Sequence, residues 1–345
     1  MALPKTAREV RLRSRPEGNP EPDNFEIAEV PMPEPGDGQM LVRTVYMSVD
    51  PYMRGRMSDR KSYAPPFVLG EAMDGRAVGQ VMVSRSGRFK EGDYVAGMGG
   101  GWKEWHVSDG RGLYRVDPDL APLAAWIGVL GMPGMTAYVG LLDIGQPKAG
   151  ETVFVSAASG AVGAVVCQIA KIKGCHVVGS AGSPEKVRWL KEEAGVDAAI
   201  NYRETGEDGL EAAIAAECPD GIDVYFENVG GAHLTAALNL MNQFGRIAAC
   251  GMISRYNDTT PQAGPPNMFL VVGKRIRMQG FIVSDHADRL DAFQRDMAQW
   301  IGEGRMKWQE TTYEGLDKVP EAFMGLFKGE NVGKAVVRVG PDRLG

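Results

Sequence analysis

The chain has 345 residues, 38 basic and 44 acidic side chains, a net charge of −6 and 44% hydrophobic residues. No lysine- or arginine-rich block marks a nucleic-acid surface, and no apolar run approaches the roughly 20 residues that span a bilayer. The length favours two domains around separate cores.

The amino terminus, MALPKTAREVRLRSRPEG, is polar and basic without an apolar centre, which argues against a secretory signal and sets a cytoplasmic expectation. Through residue 130, prolines and glycines separate short apolar runs at Met40–Val45, Ala77–Val83, Asp93–Ala96 and Trp105–Val107. That spacing predicts a small, mainly β domain with long loops. From about residue 120 the texture changes, and helices are predicted over Leu123–Leu130 and Met135–Leu142, broken at Gly131-Met132-Pro133-Gly134. Strand–helix units follow. Predicted strands are Thr152–Val155, His176–Ser180, Ala198–Asn201, Ile222–Phe226, Ile247–Cys250 and Ile276–Phe281. Predicted helices run from the glycine turn to Lys173, then over Glu185–Glu193, Leu210–Ala216 and His233–Met241. Six strands alternating with helices imply an α/β fold with a doubly wound parallel sheet.

Residues 252–267, rich in Pro, Gly, Asn and Thr, leave the fifth strand and are expected to shape the ligand crevice. Asp288–Gly304 reads as a helix whose Leu290, Phe293, Met297, Trp300 and Ile301 stripe is core or subunit contact. The tail predicts a strand at Trp308–Thr312, a helix at Val319–Phe327 and a strand at Lys334–Val339, returning to complete the first domain. The expected domains are therefore residues 1–125 with 305–345, and residues 126–304.

Residues 151–182 carry the main chemical signal. An apolar strand enters the turn Ser156-Ala157-Ala158-Ser159-Gly160-Ala161-Val162-Gly163 and leaves into a helix. Gly160 lets backbone amides approach a pyrophosphate, Gly163 lets the helix pack on its strand, and the helix N-terminus attracts the anion. Ala158 replaces the first glycine of G-x-G-x-x-G, and a nucleotide-free crossover is the alternative. The second strand ends in Ala181-Gly182-Ser183, where an acid would bind a ribose diol, and Lys186 follows. Small groups plus a cation favour NADP over NAD. The plainer reading has Ser183 capping the next helix, Pro184 as its first residue and Lys186 solvated, with Glu185 an ordinary first-turn acid.

Several segments resemble the zinc-independent medium-chain dehydrogenase/reductases, in the branch of prostaglandin/leukotriene and bacterial curcumin reductases. They are SVDPYMRGRMSD (48–59), GVLGMPGMTAYVGLLDIG (128–145), AASGAVGAVVCQIAKIKGC (157–175), YFENVGG (225–231), CGMISRYN (250–257) and ENVGKAVV (330–337). The resemblance spans essentially the whole chain. It implies a GroES-like domain with an inserted Rossmann domain, and NADPH-dependent reduction of the carbon–carbon double bond of α,β-unsaturated ketones and aldehydes. Zinc-dependent relatives carry Gly-His-Glu and a four-cysteine lobe. Here the segment reads Leu69-Gly70-Glu71-Ala72, and Cys167, Cys175, Cys218 and Cys250 form no C-x-x-C pair, so no metal is expected.

By resemblance, Gly160, Ala161, Val162, Gly163 and Ala164 form the pyrophosphate turn, and Gly182, Lys186 and Tyr202 meet the adenosine phosphate. Asn228 stands near the nicotinamide, and Cys250, Gly251, Met252, Ile253, Ser254 and Tyr256 form the fifth-strand loop over the cofactor. Phe281, Ile282 and Val283 follow the sixth strand, and Asn331 reaches the nicotinamide ribose or carboxamide. Tyr202 as a packed aromatic, Asn228 and Asn331 as turn formers, and Cys250 as core are the alternatives.

Conjugate reduction requires charge stabilisation on the carbonyl oxygen and a proton at the α-carbon. Tyr256 is the first candidate donor and Tyr52 the second, with ring packing and loop anchoring as their alternatives. Arg54 and Arg56 are candidates for a substrate carboxylate, against structural ion pairs. Tyr63, Met132 and Met135 are candidate pocket residues, against ordinary packing. A quinone or dicarbonyl reductase and a non-catalytic NADPH-binding protein remain as other functions. The resemblance further implies a homodimer paired through the sixth strand.

Overall fold

A computed structural model describes residues 3–342. The chain divides into two compact units, one of residues up to Gly128 together with those from Glu310 onward, the other Val129–Gln309.

The second unit is built on a parallel sheet of six strands: β1 (Thr152–Val155), β2 (His176–Ala181), β3 (Ala198–Asn201), β4 (Ile222–Glu227), β5 (Met241–Ala249) and β6 (Arg277–Gly280). Their order is β3-β2-β1-β4-β5-β6. Chain order reverses between β1 and β4, which opens a crevice beyond the strand carboxyl ends at that point. Every residue of β1 is buried, as a central parallel strand covered on both faces requires. The helix Gly163–Ile172 follows it, buried from Gly163 through Ala170. A β-carbon on Gly163 would lie 2.4 Å from the Ala157 carbonyl oxygen, so only glycine lets this helix begin over the turn.

Several predicted elements shift. The helix expected at Leu123–Leu130 is a short 3₁₀ segment, Leu123–Ile127. The break expected at residues 131–134 ends at Gly131. Pro133 sits in the first turn of the helix Met132–Val139, where its missing N–H costs nothing, and that helix runs on as a π-turn over Gly140–Gly145. Asp288–Gly304 is a 3₁₀ segment, Val283–Arg289, followed by the helix Leu290–Gly302. Phe293, Met297 and Trp300 of its stripe are buried, whereas Leu290 is exposed. The helix expected at Leu210–Ala216 starts earlier, at Tyr202, with a break at Gly206 (φ 66°).

The first unit holds a seven-stranded sheet among the described residues. Its strand Met40–Ser48 is buried at every position and pairs with Arg76–Ser84, Trp105–Ser108 and, from the tail, Lys334–Arg338. A hairpin of Thr6–Leu12 with Phe25–Pro31 lies outside this sheet. Phe25, Trp102 and Phe323 meet ring to ring at the centre of the unit, 5.6–6.3 Å apart.

Beside them Lys334, 4% exposed, pairs with buried Asp50 at 3.3 Å and donates to the carbonyls of Val49 and Ala335 at 2.8 and 2.7 Å. Burial lowers the pKa of this amine and Asp50 opposes that shift. Removing one partner of such a pair strands the other charge. Asp50→Ala is therefore expected to cost about 3–5 kcal/mol in urea unfolding, and Asp50→Ala/Lys334→Met to recover much of it. Equal loss in the single and double variants would deny the coupling.

Candidate active site

The carboxyl ends of β1, β2, β4 and β5 gather most of the predicted cofactor residues in one unit. The turn after β1 is held by Ala158 N–H donating to the Ser180 carbonyl (2.9 Å) and Gly160 N–H to the Ala157 carbonyl (3.0 Å). Ala157 takes a positive φ of 48°, a conformation that costs a non-glycine residue about 1–2 kcal/mol. Gly160 meets no heavy atom other than the Ala157 carbonyl, at 3.2 Å, where its β-carbon would stand. Backbone approach by a ligand is therefore unobstructed there.

At the end of β2 the cap and the cation coexist. The Ser183 hydroxyl accepts the Lys186 N–H (3.3 Å) and Pro184 opens the helix Pro184–Glu192, as the plainer reading has it. The Lys186 side chain is nevertheless buried, at 8% exposed, and its pKa is lowered by that burial and then by the neighbouring Arg203 charge. Two cations, partly offset by Glu185, beside a strand end where residues 181–183 include no acid suit a dianionic 2′-phosphate. Tyr202 completes the site: a β-carbon on Gly182 would stand 2.7 Å from its hydroxyl. Its ring packs edge-on against buried His233 (5.2 Å, 80°), whose Nε2 bonds the Ser180 hydroxyl at 3.0 Å. Burial lowers the His233 pKa to about 4, so the ring is neutral at physiological pH.

Beyond β4, Asn228 N–H donates to the Ser156 hydroxyl (2.9 Å) and its Nδ2 to the Ser156 carbonyl (2.7 Å). Its side chain thus makes a turn contact. The loop after β5 hangs on this turn. Ile253 N–H reaches the Asn228 carbonyl at 3.1 Å, and Ser254 donates to the Val229 carbonyl through its N–H and its hydroxyl. The Tyr256 hydroxyl accepts the Met252 N–H at 3.3 Å and would meet a β-carbon on Gly251 at 2.8 Å. Cys250 is half-buried, its thiol pushed up to about 12 by burial and the nearby Glu227. Phe281 stacks edge-on to Phe226, and a side chain on Gly140 would strike both rings. Ile282 and Val283 follow it, half-buried.

Tyr52, Arg54, Tyr63 and Asn331 belong to the other unit. Burial, then Asp50, raises the Tyr52 pKa, which keeps its hydroxyl protonated. Arg54 is buried, and its guanidinium donates to the carbonyls of Gly18 (2.9 Å) and Pro16 (3.3 Å), contacts of the kind the structural alternative describes. Arg56 likewise packs over the Phe67 ring and donates to the Pro65 carbonyl. Tyr63 is exposed, and Met132 opens its helix with its carbonyl bonded by Thr136. Asn331 donates to the Gly333 carbonyl at 2.7 Å, shaping a turn. The sequence reading gives no role of their own to Ser156, Arg203 and Glu227. An acid closing the apolar run IDVYFE was the available sign for Glu227.

Residues 8–116 match a family described as the N-terminal domain of oxidoreductase, and residues 161–301 one described as zinc-binding dehydrogenase. The NADPH-dependent curcumin reductase of Escherichia coli is 48% identical, over 96% of each chain. The NADP(+)-dependent 2-alkenal reductase of Nicotiana tabacum is 44% identical, over 98% of this chain and 99% of that one. The crystal structure of CurA from Vibrio vulnificus in complex with NADPH superposes with a TM-score of 0.92 at 45% identity, over 97% of this chain and all of that one.

The chain belongs to the medium-chain dehydrogenase/reductase family. This medium-chain reductase is an NADP(H)-dependent oxidoreductase, and the cations after β2 agree with that cofactor. Among its described residues, no three His, Cys, Asp or Glu side chains are grouped to hold a metal, and no helix is long and apolar enough to cross a membrane.

Lys186→Ala is expected to raise the KM for NADPH by an amount equivalent to about 1.5–3 kcal/mol and to leave NADH unchanged. Equal weakening of both cofactors would remove Lys186 from the phosphate site. Gly182→Asp supplies a diol-binding acid but drives its side chain into the Tyr202 hydroxyl, so NADPH use is expected to fall without a gain in NADH. Efficient NADH turnover by this single variant would show Tyr202 to be movable.

Proposed function

We propose that this reductase saturates the carbon–carbon double bond of α,β-unsaturated ketones and aldehydes. The carrying observation is the loop after β5, which presents the Tyr256 hydroxyl beside Gly251, at a strand carboxyl end in the cofactor unit. The names of the 44–48% identical relatives, a 2-alkenal and a curcumin reductase, support the same substrate class. Bound NADPH supplies a hydride for the β-carbon. The protein's part is to donate a hydrogen bond to the carbonyl oxygen as charge develops there, and to deliver a proton to the α-carbon. Tyr256 is assigned the donor role and Tyr52 the second position. An ordinary tyrosine pKa near 10 already keeps such a hydroxyl protonated at neutral pH, and the raised pKa of Tyr52 extends that range.

Tyr256→Phe is expected to lower kcat on an enone by on the order of a hundredfold, with NADPH binding retained. Loss in Tyr52→Phe but not in Tyr256→Phe would exchange the roles. Full activity in both would remove the tyrosines from proton transfer. Turnover of a panel of enones, enals and quinones separates this reading from quinone reduction. Binding of NADPH with no turnover of any of them would identify a non-catalytic protein.

The missing histidine beside Glu71 leaves no counterpart of the zinc-presenting Gly-His-Glu, so turnover is read as metal-independent. Activity that disappears with a chelated zinc would contradict it. The free cysteines and the NADPH dependence suit a reducing, cytoplasmic site of action.

A homodimer formed through β6 belongs to the same proposal. Among the described residues this strand pairs only with β5. Exposed Phe244, Met268, Phe269 and Val272 lie in the segments leading through β5 and into β6. A second copy of the chain would cover an edge that otherwise invites aggregation. Sedimentation at micromolar concentration is expected to show a dimer, and Val272→Asp/Phe269→Asp a monomer. A monomeric parent rejects the interface.

A further inference from the structure

Glu227 closes β4 as a carboxyl with no exposed surface, in a position where a buried charge demands compensation. Its Oε1 accepts the N–H groups of Val229 (2.6 Å) and Gly230 (2.9 Å) and the Ser156 hydroxyl (3.1 Å). Its backbone carbonyl accepts the N–H groups of Cys250 (3.0 Å) and Gly251 (3.1 Å). One residue therefore touches the turn after β1, the turn after β4 and the loop after β5. The Ser156 hydroxyl passes the linkage on, since it accepts the Asn228 N–H while donating to Glu227.

The Tyr225 hydroxyl is fully buried and interacts with the same carboxyl and with Ser156, though neither it nor Glu227 Oε2 reaches full hydrogen-bond geometry. Burial raises the pKa of Glu227 and the amides of Gly230 and Val229 oppose that rise. A group retained at this cost, with half its acceptors unused, is poor as a stabilising element. Its use is in fixing the spacing of the three segments it joins.

We propose that Glu227 is a positioning residue for the cofactor, holding the first glycine turn at a set distance from the loops that carry Asn228 and Tyr256. The consequence for NADPH affinity needs only the cofactor assignment, whereas the consequence for kcat also rests on the proposed role of Tyr256. An acceptor at Oε1 suffices for this task, and a negative charge is not required. A glutamine keeps that acceptor and turns its amide N–H toward the unsatisfied Tyr225 hydroxyl.

The test compares Glu227→Ala, Glu227→Gln and Ser156→Ala by NADPH titration and enone kinetics, each well below its own unfolding midpoint. Glu227→Ala is expected to weaken NADPH about tenfold or more and to lower kcat by up to about a hundredfold, the scale on which misplacement by 1 Å acts. Glu227→Gln is expected to stay within about threefold of the parent on both, on the scale of a single weak hydrogen bond. A folded Glu227→Ala with parental affinity and kcat overturns the proposal, as does a glutamine variant impaired as severely as alanine. If the alanine variant does not fold, Ser156→Ala decides, because it removes the hydroxyl through which Glu227 and the Asn228 N–H are joined to the first turn and leaves the Glu227 contacts to Val229, Gly230, Cys250 and Gly251 in place. Weaker NADPH binding there supports the clamp, and unchanged binding rejects it. Weakened NADPH binding in Glu227→Ala alongside a fully active Tyr256→Phe keeps the clamp while discarding the tyrosine.

Discussion

The approach of the Gly163 backbone to the Ala157 carbonyl is the constraint on which this structure depends. It sets the first helix so close to β1 that the turn between them has no freedom, and it holds Ala157 in a left-handed conformation that an alanine does not choose. The turn is then tied by its Ala158 and Ser156 N–H groups to the carbonyls of Ser180 and Phe226, each from the end of a neighbouring strand. Backbone donors aimed from so rigid a turn lose little on meeting an anion, because their orientation is fixed before it arrives.

Charge at the far end of the crevice follows a different logic. Lys186 is held beside Arg203 at a cost, since it gives up solvent and the Arg203 charge further disfavours its protonated form. Glu185 offsets that cost in part, and a group carrying two negative charges would offset it further. Tyr202 makes the arrangement hard to convert. Its hydroxyl fills the space a side chain at Gly182 would need, and His233 backs its ring.

Much of the parallel sheet was legible because pattern and punctuation agreed. Ala198–Asn201 is an apolar run between a helix end and a capping Asn, and it folds with those bounds. The strand Thr6–Leu12 was not legible, since its Arg8, Glu9 and Arg11 mask a spaced apolar set of Ala7, Val10 and Leu12. Arg8 finds Glu104, ninety-six residues away, only in the folded chain. β6 reads as an apolar run, but only Ile276 is buried, just before the strand, so sequence overstated its core character. Lys186 stood out through the missing acid nearby. Arg203 carries no local pattern and Ser156 reads only as the first small residue of the turn, and the significance of both comes from neighbours supplied by other strands.

The tail gives the first unit an unusual history. Lys334–Arg338 lies against Met40–Ser48, and Glu310–Glu314 lies outside it. During synthesis the wholly buried strand Met40–Ser48 leaves the ribosome almost three hundred residues before this neighbour exists. Val129–Gln309, by contrast, has all six of its sheet strands in one continuous stretch. Domains generally fold as units while the chain emerges, so the nucleotide unit is complete first and the earlier-made unit waits for its last strand. Until then the edge of Met40–Ser48 that takes Lys334–Arg338 is open, and in that interval the nascent chain is exposed to chaperone capture or to mispairing.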